Sequence, residues 1–259
     1  MNRQAVFAGS FYPADPIILQ QSVEALLHQA APADRSPKAI IVPHAGYQYS
    51  GPIAASAYAR LQAAADRISR VVLMGPSHRV GFHGLALSQA EHFQTPLGAI
   101  AIDHQADNQL QGLDFVGYLE AAHSQEHSLE VQLPFLQQAL GSFKLVPIVA
   151  GDASPSQVCQ VLERLWGGEE TLIVISSDLS HYHDYPTACR LDRQTSQLIE
   201  GLEFENLSSD AACGQVPVAG LLKLLQRRSL SIHNIDLRNS GDTAGDKRRV
   251  VGYGAYVVE

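Results

Sequence analysis

Three short apolar runs constrain this chain more tightly than anything else in it: Ala39–Val42, Arg70–Met74 and Thr171–Ile175. Each is dominated by Val, Ile or Leu and is too short for a buried helix, so each reads as a strand covered on both faces. Strands of that kind belong to an α/β sheet packed between helices. The three runs also end alike. The first is followed by Pro43-His44, the second by Gly75-Pro76-Ser77-His78, and the third by Ser176-Ser177-Asp178-Leu179-Ser180-His181. If the strands are parallel, these residues emerge together at the sheet edge where α/β folds bind ligands.

The intervening sequence supports the same class. Asp15-Pro16 and Ser154-Pro155 each pair an N-cap residue with proline at the first helical position. Helices are expected after both, from Gly51-Pro52, over Ser128–Leu140 with Ser128 as cap and a kink at Pro134, and near Thr187–Gly201 and Pro217–Arg228. Gly75-Pro76 should end the second run, and Pro147 should place the strand Leu145–Val149 at an edge or a bulge. Glu91–Gln94 and Ala99–Asp103 flank a hairpin-like turn, and Val250–Val258 reads as a closing strand. No repeat, low-complexity tract or linker interrupts the 259 residues. The span 1–259 therefore reads as a single α/β domain, a layered fold with a central, mostly parallel sheet flanked by helices.

Charge and cysteine usage narrow the function classes. A formal net charge of −8 offers no basic face to a nucleic-acid backbone. No apolar run approaches the roughly 18 residues of a membrane span. Three cysteines with no C-x-x-C pair fit no closed disulfide framework and suit a reducing, cytoplasmic setting. Only 17% of residues are charged, a low density that fits a well-buried chain or a homo-oligomer interface. The expected partner is a small-molecule or peptide ligand, with no nucleic acid and no membrane.

Convergence of His44, His78 and the Asp178/His181 pair would gather imidazoles and a carboxylate, the donors a borderline transition metal takes. His127, in Glu126-His127-Ser128, stands at the start of an expected helix and is a further candidate. Cys213-Gly214 lies just before another, where a helix terminus would lower the thiol pKa and favour thiolate. Tyr49 and Tyr12 are candidates to line a pocket. Phosphate-loop, nucleophile-elbow and H-E-x-x-H signatures do not occur.

Six segments in order carry a resemblance: Ala8-Gly9-Ser10-Phe11-Tyr12-Pro13, Pro43-His44-Ala45-Gly46-Tyr47, Gly75-Pro76-Ser77-His78, Glu126-His127-Ser128-Leu129-Glu130, Ser176-Ser177-Asp178 with His181, and Cys213-Gly214. Together with Ser240-Gly241-Asp242 and Val250-Val251-Gly252-Tyr253, they resemble the Memo family, whose prokaryotic members are called AmmeMemoRadiSam system protein B. The resemblance implies a fold similar to the LigB-type subunit of class III extradiol dioxygenases, which are non-haem iron enzymes that open catechol rings. It also implies a metal trio at His44, His78 and Cys213, with Asp178 and His181 beside it as ligands or acid–base groups. Family members have been associated with copper or iron, with redox activity and, in animals, with a signalling role; companion proteins of the same system would be partners here.

A thiolate ligand departs from the two-histidine, one-carboxylate iron site of the dioxygenases and shifts preference toward Cu(I) or zinc. Asp178 or Asp242 could supply a carboxylate instead. Three readings follow. The first is metal-dependent redox chemistry on a small molecule, using iron or copper, with His181 oriented by Asp178 and His127 nearby as proton-handling groups. The second is metal-dependent hydrolysis with zinc. The third is a non-catalytic binding protein or adaptor using the same cleft.

Overall fold

A computed structural model describes residues 1–31, 33 and 36–258. Among these, the chain begins β1 (Asn2–Arg3), α1 (Pro16–Gln29), β2 (Ala39–Val42), α2 (Tyr47–Tyr58), β3 (Arg70–Pro76) and β4 (Leu85–Leu87). It continues through β5 (His92–Thr95), β6 (Gly98–Ala101), α3 (His104–Asp107), β7 (Val116–Tyr118), α4 (Glu120–Ser124), α5 (His127–Glu130), α6 (Leu133–Leu140) and β8 (Lys144–Ala150). The remainder is α7 (Pro155–Leu165), β9 (Thr171–Ser176), β10 (His181–His183), α8 (Tyr185–Glu200), α9 (Gln215–Arg228), β11 (Ile232–Asn239) and β12 (Val250–Val258).

The main sheet runs in the order β10-β12-β2-β9-β3-β8-β4-β7, with β11 also paired to β12. Its centre, β2-β9-β3-β8, is parallel throughout. Antiparallel pairings flank that centre, β12 against β2 and β4 against β8. A smaller sheet joins β1, β5 and β6; its β5–β6 pairing is the hairpin read from the sequence.

The apolar runs alternate between two cores. Ile40, Val42, Val71, Leu73, Leu172 and Val174 pack on one face with α1, α2 and α6. Ile41, Val72, Met74, Ile173 and Ile175 pack on the other with α7, α8 and α9. Burial on both faces is why these strands read as unbroken apolar runs rather than alternating ones. The expected α/β architecture is therefore present, with its parallel centre between helical layers.

Local expectations fail at prolines and at one cap. β3 continues through Gly75-Pro76, where β8 still pairs but β9 pairs no further than Met74. Proline is tolerated there because a ladder partner is missing on one side. Pro147 sits inside β8 opposite Leu73. On the other side of β8, pairing is confined to Leu145 and to Val149–Ala150, so the missing N–H falls in a gap. α2 starts at Tyr47 rather than at Gly51-Pro52, anchored by the buried Tyr47, whose hydroxyl donates to Val131 O at 2.8 Å. The expected helix Ser128–Leu140 is two helices, because Pro134 opens α6 instead of kinking a continuous one. The cap of α5 is Glu126, not Ser128.

Candidate metal centre

β2, β9 and β3 end side by side, and the residues beyond them meet. Ligand atoms of His44, His78 and Cys213 all lie within 4.8 Å of one another. His44 follows β2, His78 lies two residues past β3, and Cys213 sits just before α9, in contact with the Asp178 turn that follows β9. The trio implied by the resemblance is thus one cluster.

Hydrogen bonding sets the tautomers. His44 Nδ1 lies 2.8 Å from Ser176 Oγ. The single Ser176 hydroxyl proton goes to Ser128 O at 2.6 Å, and its oxygen also accepts from Gln132 Nε2 at 2.8 Å. Gln132 Nε2 donates as well to Pro43 O, while its Oε1 accepts from Tyr58 OH. With its one proton committed, Ser176 Oγ can only accept from His44, so Nδ1 carries the hydrogen and Nε2 presents a lone pair. The partner at Nε2 is Cys213 Sγ, 3.3 Å away.

His78 is oriented by a carboxylate. Its Nδ1 lies 2.8 Å from Glu126 Oε1, and its backbone N–H donates to Oε2 at 2.6 Å. A carboxylate accepts only, so Nδ1 of His78 too carries a hydrogen, and Nε2 is the ring position left for a metal. Burial opposes ionisation of Glu126, yet the donors of His78 and the Ser128 N–H hold its pKa down to about 2. Carboxylate–histidine pairs of this kind orient metal ligands. Glu126, His78 and His127 also satisfy a donor-cluster geometry, but Glu126 Oε1 is already taken by His78.

Burial, reinforced by the neighbouring imidazoles, lowers the pKa values of His44 and His127 to about 3, so both rings are neutral near pH 7. The His127 ring stacks on His78 at 4.6 Å and packs against Phe11 at 4.8 Å. Its Nδ1 is buried without a hydrogen-bond partner among the described residues. The Cys213 thiol departs from expectation. Burial and the Asp178 carboxylate push its pKa up, outweighing the N–H groups of Asp178, at 3.3 Å, and of Gly214 at the start of α9. A cation bound by this sulfur has to displace its proton.

Asp178 is also buried, and burial raises its pKa. Its Oδ1 accepts the His44 backbone N–H at 2.8 Å, and Oδ2 lies 3.9 Å from His44 Nε2. No hydrogen bond joins Asp178 to His181 among the described residues, so the expected orienting contact is not made. Both instead line a cavity of about 570 Å³, together with His127, Tyr49, Arg248 and Arg249. Tyr12 lines a neighbouring cavity of about 640 Å³, and its hydroxyl donates to Glu130 Oε1. Asp242 lies outside the cluster, accepting from Tyr185 OH at 2.7 Å and from the Asn239 N–H at 3.0 Å.

Sequence reasoning assigned no role to Glu126, Ser176 or Arg3. Arg3 is buried and donates to His123 O, Glu126 O and the Glu130 carboxylate, gripping the segment that carries Glu126 and His127. The one signal available was an acidic residue immediately before a helix-starting histidine.

The donor set fits a borderline or soft transition metal: two oriented imidazoles and one sulfur, with a carboxylate close by. Comparison with known proteins agrees on the family. The family model for Memo-like protein matches residues 3–257. A MEMO1 family protein of Sulfolobus acidocaldarius is 34% identical, with 98% of each chain covered. One from Aquifex aeolicus is 36% identical, with 97% of each covered. Among solved structures, an uncharacterized protein from Escherichia coli K12 aligns with a TM-score of 0.48 at 13% identity, over 86% of this chain and 100% of that one. The motifs at the strand ends, the family model and the near full-length relatives lead to one assignment: this chain belongs to the Memo-like protein family.

Proposed function

We propose that His44, His78 and Cys213 hold an iron or copper ion used for redox chemistry on a small molecule. The observation that carries this reading is the pair of imidazoles whose Nδ1 atoms are committed to Ser176 and Glu126, which leaves both Nε2 atoms as the available ring positions beside Cys213 Sγ. A bound ion of either kind would supply a one-electron couple next to Asp178 and His127, which line the 570 Å³ cavity. The chain's own residues do the rest. Ser176 and Glu126 hold the two imidazoles in register, and Phe11 packs against the His127 ring. His181 and His127, on the cavity wall, exchange protons with the substrate held there.

Elemental analysis of protein purified without added metal tests the reading. Stoichiometric iron or copper that is lost in His44→Ala and Cys213→Ser is the expected result. Zinc at stoichiometry together with hydrolytic turnover would favour the hydrolase. Protein that carries no metal and binds none at micromolar concentration would leave a binding role.

A further inference from the structure

The cluster is flanked by two cavities that share no lining residue. One is the 570 Å³ cavity on the β2, β12 and β10 side, whose mouth carries Arg248 and Arg249. The other, about 500 Å³, lies on the β3 and β8 side and reaches Cys213. It is lined by Val80, Phe82, His83, Asp152 and Val216 among others, and no lysine or arginine lines it. At its rim, His83 Nδ1 lies 3.0 Å from Asp152 Oδ2, and both side chains are largely exposed. Asp246 also lines the first cavity and pairs with Arg248 at 2.7 Å, so what separates the two is their reach: of the trio, only Cys213 lines either cavity, and it lines the second. The second offers a cation a carboxylate and an imidazole at its rim and a sulfur within, whereas none of the three ligands lines the first.

The geometry points to the Cys213 cavity as the route by which a metal cation reaches the cluster, with Asp152 and His83 as its first contacts. Loading and substrate binding then use different sides of the same centre, so a ligand in the arginine-rimmed cavity does not block metal exchange. Past that rim, Cys213 is the first of the three ligands the cation meets, and the thiol proton leaves as the metal–sulfur bond forms, with no change of oxidation state. The inference rests on the metal-centre reading, although access to Cys213 can be measured without any metal.

Two rates on metal-free protein test it: Co²⁺ uptake, read from the sulfur-to-cobalt absorption band, and alkylation of Cys213 by neutral iodoacetamide, read by peptide mass spectrometry with Cys189 as internal reference. Val216→Trp, which fills the cavity, should slow both by about tenfold while the final Co²⁺ stoichiometry is unchanged. Asp152→Asn, at an exposed position that folding tolerates, should slow Co²⁺ uptake about two- to threefold and leave alkylation alone. Unchanged rates in both variants would overturn the route and place entry at the exposed rim of His78. If the wild type takes up no Co²⁺, the metal-centre reading fails. Slowed alkylation in Val216→Trp would still establish the cavity as the way to Cys213.

Discussion

His78 gives its Nδ1 hydrogen to Glu126, and Glu126 at the same time caps α5 through the Ser128 N–H. One buried carboxylate thus couples the orientation of a metal-ligand candidate to the placement of the next helix. Glu126→Gln removes the charge while keeping the shape. We expect metal affinity to fall about 10- to 100-fold, as for other second-layer partners of histidine ligands. Competition titration against a chelator of known affinity measures it, and affinity within a factor of two of wild type would contradict the role.

Ser176→Ala leaves His44 Nδ1 without an acceptor and Ser128 O without its hydroxyl donor, and takes from Gln132 Nε2 one of its two acceptors, the other being Pro43 O. Buried groups orphaned in this way cost about 1–3 kcal/mol. Urea unfolding should show that loss, and nitrogen-15 spectra of the His44 ring should show the tautomer no longer confined to Nδ1–H.

Gly75 permits α5 to approach β3. A Cβ there would stand 2.7 Å from Ser128 Oγ and 3.0 Å from Leu129 Cδ2. Gly75→Ala should cost about 1–3 kcal/mol by overpacking and weaken metal binding through displacement of the Glu126 cap. A calorimetric scan with and without metal separates the two effects.

His123 is buried, and burial lowers its pKa to about 4, against an ordinary value near 6.5. Between those pH values the unfolded chain binds a proton that the folded chain refuses. This contribution is therefore fully present above pH ~6.5, lost as pH falls toward ~4, and worth about 3 kcal/mol. His123→Gln should flatten the decline of stability over that window, measured as unfolding midpoints at fixed pH. An identical slope would remove His123 from the account.

The Arg3–Glu130 pair is almost wholly buried, and Glu130 also accepts the Val6 and Phe7 N–H groups. Arg3→Met leaves a buried carboxylate without its cation, and we expect a loss of about 3–5 kcal/mol. Chemical denaturation measures it. A double variant that also carries Glu130→Leu should regain part of the stability.

Legibility followed range. β2, β3 and β9 were readable because burial on both faces writes itself as a local apolar run. Their shared edge followed from their alternation with helices. Cys213 stood out as a thiol ahead of a helix, but its place beside His44 and His78 came only through family resemblance, since its contact with His44 spans 169 positions. Ser176 and Glu126 act through hydrogen bonds across 132 and 48 positions, and no periodicity encodes such a partner. The prolines at 76 and 147 misled because a missing N–H matters only where a neighbouring strand needs it.

β12 occupies the interior of the main sheet, between β2 and β10, with β11 also on it. Ile41 pairs with Tyr256, and the turn carrying Asp178 is tied by the Leu179 N–H to Gly252 O. Closing the sheet on this side therefore requires pairing between residues as far apart along the chain as Ile41 and Tyr256. Pairing so distant along the chain makes for slow folding. The edge that carries Asp178 is therefore completed late in folding, only once β12 has closed on β2.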